Sequence, residues 1–237
     1  MTITFQESPL RLATVVLHPG DKYACEPGAI IMMEDLIKMS SYLGGLSNNK
    51  VSNALKTPWS LIKRKISGER AAMVVLESQA VGEGAKKNIV IGPPKPGTLE
   101  SINCQRAGGL VCKRGAFVAA KMPVDVSFKV VGKVGIGFFG PGFVFQQITS
   151  QSEVILWAPA PVLRVRLHGN SIHVDPKSLL AYTPSVRCSA EFTGVKNAIF
   201  GGEGVVMLKL EGSGYAWVSG ASPEEQTARE QKLPAKK

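Results

Sequence analysis

The sequence predicts an all-β protein: an antiparallel β-sandwich or barrel-like domain built from three degenerate β repeats, with a short helical insert in repeat one. Two observations lead to this prediction. Short apolar segments alternate with turns that contain glycine and proline, and these two residue types make up 40 of the 237 residues, about 17% where roughly 12% is usual. The same order of strands and turns also recurs at a fixed spacing, which is typical of stacked or ring-arranged β units.

A strand, a turn and a second strand of small apolar residues follow one another three times. Gly28, Gly115 and Lys177 occupy the equivalent turn positions. We expect each of the three segments to form a β-hairpin. Cys25 and Cys112 precede the first two turns by the same distance. Their equivalence indicates the packing of small apolar groups and argues against nucleophilic catalysis.

A further glycine turn marks the later part of each repeat. It lies 25 residues after the first turn in repeats two and three, at Gly140 and Gly202, but 40 residues after it in repeat one, at Gly68. Repeat one therefore carries an insertion of 15 residues, and insertions into repeats map to loops. In repeat three, Gly212 and Gly214 predict another turn between two strands. The glycines assigned to structural turns are Gly28, Gly115, Gly140, Gly202 and Gly204.

The insertion shows helix signals over about residues 47–66. Thr57 suits an N-cap, and Pro58 suits the first helical position. The cations of Lys63–Lys65 would lie in the last turn, where they interact favourably with the helix dipole. The segment 49–66 contains no acidic residue and carries a charge of +5, which is half of the net charge of +10.

These patterns also divide the chain into segments. Proline-rich stretches at 92–97 and 158–161 predict linkers between the repeats. The predicted segments are repeat one at 1–92, repeat two at 93–158, repeat three at 159–220 and a polar C-terminal tail at 221–237.

Basic residues are the strongest functional lead. Arg164 and Arg166 alternate with apolar residues, so both side chains should lie on one face of a strand. Lys113 and Arg114 fall at the predicted hairpin turn of repeat two. Such a surface can bind phosphates and release their counterions. The residues assigned to nucleic-acid or anionic-surface binding are Lys56, Lys63, Arg64, Lys65, Lys113, Arg114, Arg164 and Arg166.

The sequence carries no pattern for catalysis or for a cofactor. The four cysteines form no CxxC pair, and the three histidines lack the spacing of zinc ligands. The glycines of 201–204 lie between predicted strands, whereas a phosphate-binding loop opens a helix. We therefore expect a protein that is not an enzyme and has no cofactor, no metal and no small-molecule substrate. No apolar run approaches the roughly 20 residues of a membrane span.

Several short motifs occur in the order found in a known family. The chain resembles the altered-inheritance-of-mitochondria family of β proteins, also called tryptophan-RNA-binding-attenuator-like (TRAP-like) proteins. This resemblance implies a β-sandwich or barrel-like fold with internal pseudo-symmetry, assembled as a homo-oligomer, with a trimer favoured. The motifs that carry it are Leu17–Asp21, Glu26–Ala29, Lys113–Ala119, Val174–Pro176 and Gly201–Gly204.

We expect a non-enzymatic oligomeric β scaffold that mediates macromolecular assembly. The resemblance implies a role in mitochondrial organisation, in the matrix or at the inner membrane if the chain is eukaryotic, and a cytoplasmic protein if it is bacterial. One alternative is an RNA-binding or ribonucleoprotein component that uses its basic surface. The other is an organiser that associates with an anionic membrane surface.

Overall fold

A computed structural model describes residues 3–7, 11–42, 73–82, 84–131, 143–193 and 205–220. These residues form antiparallel β-sheets with only short helical turns, so the all-β prediction is confirmed. The predicted helical insert, the turns at Gly140, Gly202 and Gly204, and the C-terminal tail lie outside the described residues.

The first third of the chain supplies seven of the described strands. They are β1 (Ile3–Glu7), β2 (Arg11–Leu17), β3 (Lys22–Cys25), β4 (Ile30–Met33), β5 (Ile37–Tyr42), β6 (Met73–Ser78) and β7 (Lys87–Ile91). A 3₁₀ turn at Pro27–Ala29 joins β3 to β4. It contains Gly28, one of the predicted turn glycines.

The middle third supplies six strands and a one-turn helix. The strands are β8 (Thr98–Asn103), β9 (Leu110–Lys113), β10 (Phe117–Lys121), β11 (Val124–Val131), β12 (Phe143–Ser150) and β13 (Glu153–Ala158). Helix α1 (Cys104–Ala107) was not predicted. The Asn103 side chain accepts a hydrogen bond from the Arg106 amide, and Gly108 ends the helix in the left-handed conformation.

The last third uses fewer and longer strands. They are β14 (Val162–Val174), β15 (Leu179–Tyr182), β16 (Val186–Thr193) and β17 (Val205–Ser219). The turn predicted at Gly212 and Gly214 is wrong, because β17 runs through both glycines without a break. The close approach of Ser185 explains one of them, since a Cβ atom on Gly214 would lie 2.7 Å from the Ser185 hydroxyl oxygen.

One pairing pattern recurs in each third of the chain. In the first third, β2 pairs with β7 and β7 with β4, while β5 pairs with β6 and β6 with β3. The same two three-stranded groups are β8–β13–β10 and β11–β12–β9 in the middle third. In the last third, the two halves of β14 and β17 supply the equivalent strands together with β15 and β16.

The register of these strands follows the spacing of the sequence. Strands β4, β10 and β15 each have a register shift across one residue, at Ile31, Val118 and Leu180. Each of these residues lies three positions after the predicted turn residue. Strands β5 and β6 pair Ser41 with Val74, 33 positions apart, whereas the equivalent pairs in the other two thirds are 18 positions apart. The difference is the predicted insertion of 15 residues.

The prediction of three hairpins is wrong. Strand β3 pairs not with β4 but with β6 and β10, and β9 pairs with β12 and β15. The physical reason is burial on both faces. Ala24 and Cys25, neighbours on β3, belong to two different hydrophobic cores. Such a strand must lie between two cores, which a two-stranded hairpin cannot provide.

We call the pairings of β3 with β10 and of β9 with β15 the seams, because each joins one repeat to the next. In the first seam, Cys25 lies opposite Ala119 and Ala24 opposite Ala120. In the second, Cys112 lies opposite Ala181 and Val111 opposite Tyr182. Cysteine and alanine predominate because the strands of a seam are packed from both sides.

Candidate anion-binding face

Strands β14 and β17 form a face that carries two of the predicted site residues. Arg164 and Arg166 are exposed on one side of β14, and Leu167, on the other side, is buried in a core. The alternation of the sequence therefore predicted their common orientation correctly. In the sheet, Arg164 lies opposite Trp217 and Arg166 opposite Tyr215.

Both guanidinium groups lie over the same aromatic ring. The Cζ atom of Arg164 is 5.3 Å and that of Arg166 is 5.8 Å from the centroid of the Tyr215 ring, which is cation–π distance. The Tyr215 ring in turn lies 6.1 Å from the ring of the buried Trp217. We call Arg164, Arg166 and Tyr215 the arginine–tyrosine face.

The two arginines of this face have no acidic neighbour among the residues that the structure describes. Within the described part of the chain, no carboxylate lies within salt-bridge distance of Arg164 or Arg166. Arg187 differs, because its Nε atom lies 3.7 Å from a carboxylate oxygen of Glu211. The arginine–tyrosine face therefore presents two cations that a ligand anion can neutralise.

The repeat itself does not require these arginines. By register, Ser101 and Asn103 on β8 take the places of Arg164 and Arg166 in the middle third, and Glu153 takes the place of Tyr215. There the Ser101 hydroxyl donates a hydrogen bond of 3.1 Å to Glu153. The same backbone positions thus carry two uncharged side chains and a carboxylate in the middle repeat, and two arginines and a tyrosine in the last one.

The other two described basic residues lie at a different place. Lys113 ends β9, and Arg114 lies exposed in the following turn with Gly115, whose φ is +74°. The Lys113 ammonium group donates a 3.0 Å hydrogen bond to the backbone carbonyl of Lys177. This contact brings the turns of repeats two and three together and adds Lys177 to the basic residues found from the sequence.

The insert residues Lys56, Lys63, Arg64 and Lys65 lie outside the described residues. Sequence reasoning missed Tyr215, although one signal was present. Tyr215 and Trp217 alternate on their strand as Arg164 and Arg166 do on theirs. The rings and the cations come together only because β14 pairs with β17, and these two strands are far apart in the sequence.

A cleft of about 540 Å³ lies at the start of β14. Its charged residues, Arg11 and Glu100, form a salt bridge of 3.0 Å, and Arg11 also donates to the Leu99 carbonyl at 2.8 Å. The lining residues are Arg11, Gly97, Thr98, Glu100, Pro159, Ala160, Pro161 and Val162. Because its cation is already paired with an acid, this cleft is a weaker anion site than the arginine–tyrosine face.

The described thiols are suited to packing. Burial raises the pKa of Cys25 to about 12 and that of Cys188 to about 11, so both remain protonated at neutral pH. Among the described residues, no group of three His, Cys, Asp or Glu side chains is arranged to hold a metal ion. No helix in the same part of the chain has the length and apolar composition needed to cross a membrane.

Nearly the whole chain is similar to known proteins. A family model described as mitochondrial biogenesis AIM24 matches residues 3–221. No curated protein matches the chain. The crystal structure of protein SPYM3_0169 from Streptococcus pyogenes is similar, with a TM-score of 0.69 and 17% sequence identity, over 98% of this chain and 99% of that one. At this identity the likeness shows the fold alone.

Proposed function

Because the chain belongs to the mitochondrial biogenesis AIM24 family, we propose that it is a non-enzymatic β scaffold that assembles with itself and holds an anionic macromolecule on its arginine–tyrosine face. The family name links it to mitochondrial biogenesis. We also propose that it acts in the matrix or at the inner membrane in a eukaryotic cell, and in the cytoplasm in a bacterium.

One observation carries the proposal: two exposed guanidinium groups lie over one tyrosine ring without an acidic partner among the described residues. Two cations at fixed positions match two negative charges of a polymer. The net charge of +10 adds a long-range attraction for polyanions.

RNA is the preferred anionic partner. Exposed arginine side chains can bind a phosphate backbone, and the partly buried ring of Tyr215 beside them can stack on a base. An anionic membrane would use the cations, but its headgroups carry no bases to stack on the tyrosine ring. Membrane binding is therefore the competing outcome of the test.

The test replaces both arginines and measures binding of generic single-stranded RNA by fluorescence anisotropy over a range of salt concentrations. We expect Arg164→Gln/Arg166→Gln to weaken binding about 10-fold or more at low salt. The slope of log K against log salt should become shallower by about 1.4, since each lost phosphate contact contributes about 0.7. Flotation with vesicles that contain anionic lipid runs in parallel.

A matched control is Lys38→Gln/Arg187→Gln, which removes the same charge from two exposed side chains on other strands. It should leave the salt slope nearly unchanged. Equal loss in both variants would mean that only the net charge matters, and the assignment of the face would be wrong. Flotation that depends on Arg164 and Arg166, without RNA binding, would identify a membrane organiser instead.

A further inference from the structure

We propose that the edge of β4 in one copy of the chain pairs with the C-terminal part of β14 (residues 171–174) in a second copy, and so forms a third seam between molecules. This inference specifies the self-assembly contained in the proposed function and does not depend on the arginine–tyrosine face. It rests on the two seams that the chain already contains.

The seams follow one rule. The strand before the turn in one repeat pairs with the strand after the turn in the next repeat, as β3 does with β10 and β9 with β15. Three repeats supply three strands of each kind, and among the described residues two seams form. Two strands are left without a seam: β4 in the first repeat and the second half of β14 in the last repeat.

Exposure identifies these two edges as incomplete. Met32 and Met33 on β4 are 47% and 41% exposed, whereas Ala119 and Ala120, at the equivalent positions of β10, are fully buried. On β14, His173 is exposed, while the equivalent Ala24 is buried. Met32, Met33 and His173 are thus exposed where their counterparts in the seams are buried, whereas Val174 is buried even in the single chain.

Other sheet edges do not show this contrast. Strands β5, β11 and β16 occupy one and the same place in their repeats, and each is an edge strand of the described structure. An edge that stays open in all three repeats is a normal feature of the fold. The edges of β4 and β14 differ because the fold covers their counterparts.

The occupant is a second copy of the chain. Strands β4 and β14 lie at the ends of two different sheets, and within the described residues they do not pair with each other. By the rule of the seams, β4 requires a strand of the kind of β3 and β9, and the C-terminal part of β14 is such a strand. The C-terminal part of β14 in turn requires a strand of the kind of β10 and β15, which β4 is. An exposed apolar edge is also a site where another strand adds readily, because its backbone groups are free.

The existing seams also give the register. Cys25 pairs with Ala119 and Cys112 with Ala181, which places Val174 opposite Met32. The next pair in both seams, Ala24 with Ala120 and Val111 with Tyr182, places His173 opposite Met33. Because the two edges are different surfaces, the contact is head-to-tail, and repeated contacts close into a ring or extend as a filament.

The first experiment measures the mass of the full chain by sedimentation velocity over a range of concentrations. We expect the wild-type chain to form assemblies and Met32→Lys/Met33→Lys to weaken self-association at least 100-fold, because two cations would be buried in the seam. Both side chains are exposed in the single chain, so the variant should keep the wild-type circular dichroism spectrum and melting behaviour.

The matched control is Met39→Lys/Val130→Lys. Met39 is 47% and Val130 is 55% exposed, on β5 and β11, which are edges in every repeat. This variant adds the same charge and should assemble as the wild type does. A wild-type chain that stays monomeric at all concentrations, or a Met32→Lys/Met33→Lys variant that assembles normally, would overturn the proposal.

The second experiment tests the register. A His173→Cys chain is mixed with a Met33→Cys chain under mild oxidation, since directly opposed strand residues can lie within disulfide distance. We expect a covalent dimer in the mixture and none with either variant alone. No cross-link in the mixture would refute the register. A His173→Cys/Met33→Cys double variant that forms only an internal disulfide would show closure within one chain and would refute the second copy.

These experiments are separate from the test of the anionic partner. If the seam fails while Arg164→Gln/Arg166→Gln still loses RNA binding, the protein is a monomeric binder. If the seam holds while that variant binds normally, the scaffold assembles but holds its partner elsewhere.

Discussion

Gly97 lies where the chain between β7 and β8 passes the end of β13. A Cβ atom there would overlap the backbone carbonyl of Ala158 and lie 2.7 Å from the indole nitrogen of Trp157. The φ angle of +148° also disfavours other residues. The Trp157 indole also donates a hydrogen bond of 3.2 Å to the Lys95 carbonyl, which would be lost if the ring moved away.

We therefore expect Gly97→Ala to lower the free energy of unfolding by about 3 kcal/mol, from steric overlap together with backbone strain. Gly115→Ala is the control. Gly115 has a φ of +74°, and a Cβ atom there meets no neighbour within 4 Å. Only backbone strain applies, so the cost should be about 1 kcal/mol. Urea unfolding of both variants checks the difference, and equal losses would contradict the steric argument.

The two glycines also show which features of single residues can be predicted from the sequence. The turn at Gly115 was predictable, because a turn between two apolar segments is a local feature. The requirement at Gly97 was not, because it depends on Ala158 and Trp157, about 60 residues away. The same holds for Tyr215, whose ring comes to lie near Arg164 and Arg166 only once β14 and β17 pair.

At the scale of elements, the turn between β2 and β3 is tied to the next repeat by an ion pair. The Asp21 carboxylate accepts hydrogen bonds from the His18 amide at 3.0 Å and from the Lys121 ammonium group at 2.6 Å. Burial alone would raise the pKa of Asp21, but these hydrogen bonds and the charge of Lys121 outweigh it and hold the pKa below its ordinary 3.8.

A carboxylate with a lowered pKa stabilises the folded state above its ordinary pKa, and this contribution is lost as the pH falls through the lower pKa of the folded state. We expect Asp21→Asn to be less stable than wild type by about 1 kcal/mol at pH 7, and we expect this difference to shrink as the pH is lowered below the ordinary pKa towards about pH 3. Urea unfolding at both pH values tests this.

Asp35→Asn is the control for this prediction. The Asp35 carboxylate pairs with Lys87 but is 81% exposed, and exposed pairs contribute little. Its loss should change stability by less than about 0.5 kcal/mol at either pH. A constant difference between Asp21→Asn and wild type at both pH values would exclude the ionised Asp21 as the cause.

The elements themselves were only partly predictable. The apolar runs predicted the strands that became β9, β10 and β15, and the spacing of the turns predicted the insertion of 15 residues in repeat one. Which strands pair was not predictable, since β3 and β10 are almost 100 residues apart. Helix α1 is one turn long and depends on its caps, Asn103 and Gly108, and so leaves no periodic pattern.

At the scale of the whole molecule, assembly and partner binding should reinforce each other. Every copy carries one arginine–tyrosine face, so an assembly of copies presents several faces to one polymer, and multivalent binding exceeds the affinity of a single site. We expect Met32→Lys/Met33→Lys to bind a long RNA at least 10-fold more weakly per chain than wild type, although Arg164 and Arg166 are unchanged. Binding of a short RNA that spans one face should be almost unaffected.

Titrations with a long and a short RNA, read by fluorescence anisotropy, measure this coupling. The control variant Met39→Lys/Val130→Lys should bind both RNAs as the wild type does. An equal loss for the long and the short RNA would contradict multivalent binding and would point to an effect on the face itself.

The central claim is that the three repeats form two internal seams within the described part of the chain, and that the two edges left open there pair between molecules. Hydrogen exchange measured by mass spectrometry tests it most directly. The account predicts that the segments 30–33 and 171–174 are protected in the assembled wild-type chain, as 22–25 and 117–121 are, and that both lose protection together in Met32→Lys/Met33→Lys. Rapid exchange of both segments in a wild-type chain at high concentration would contradict it.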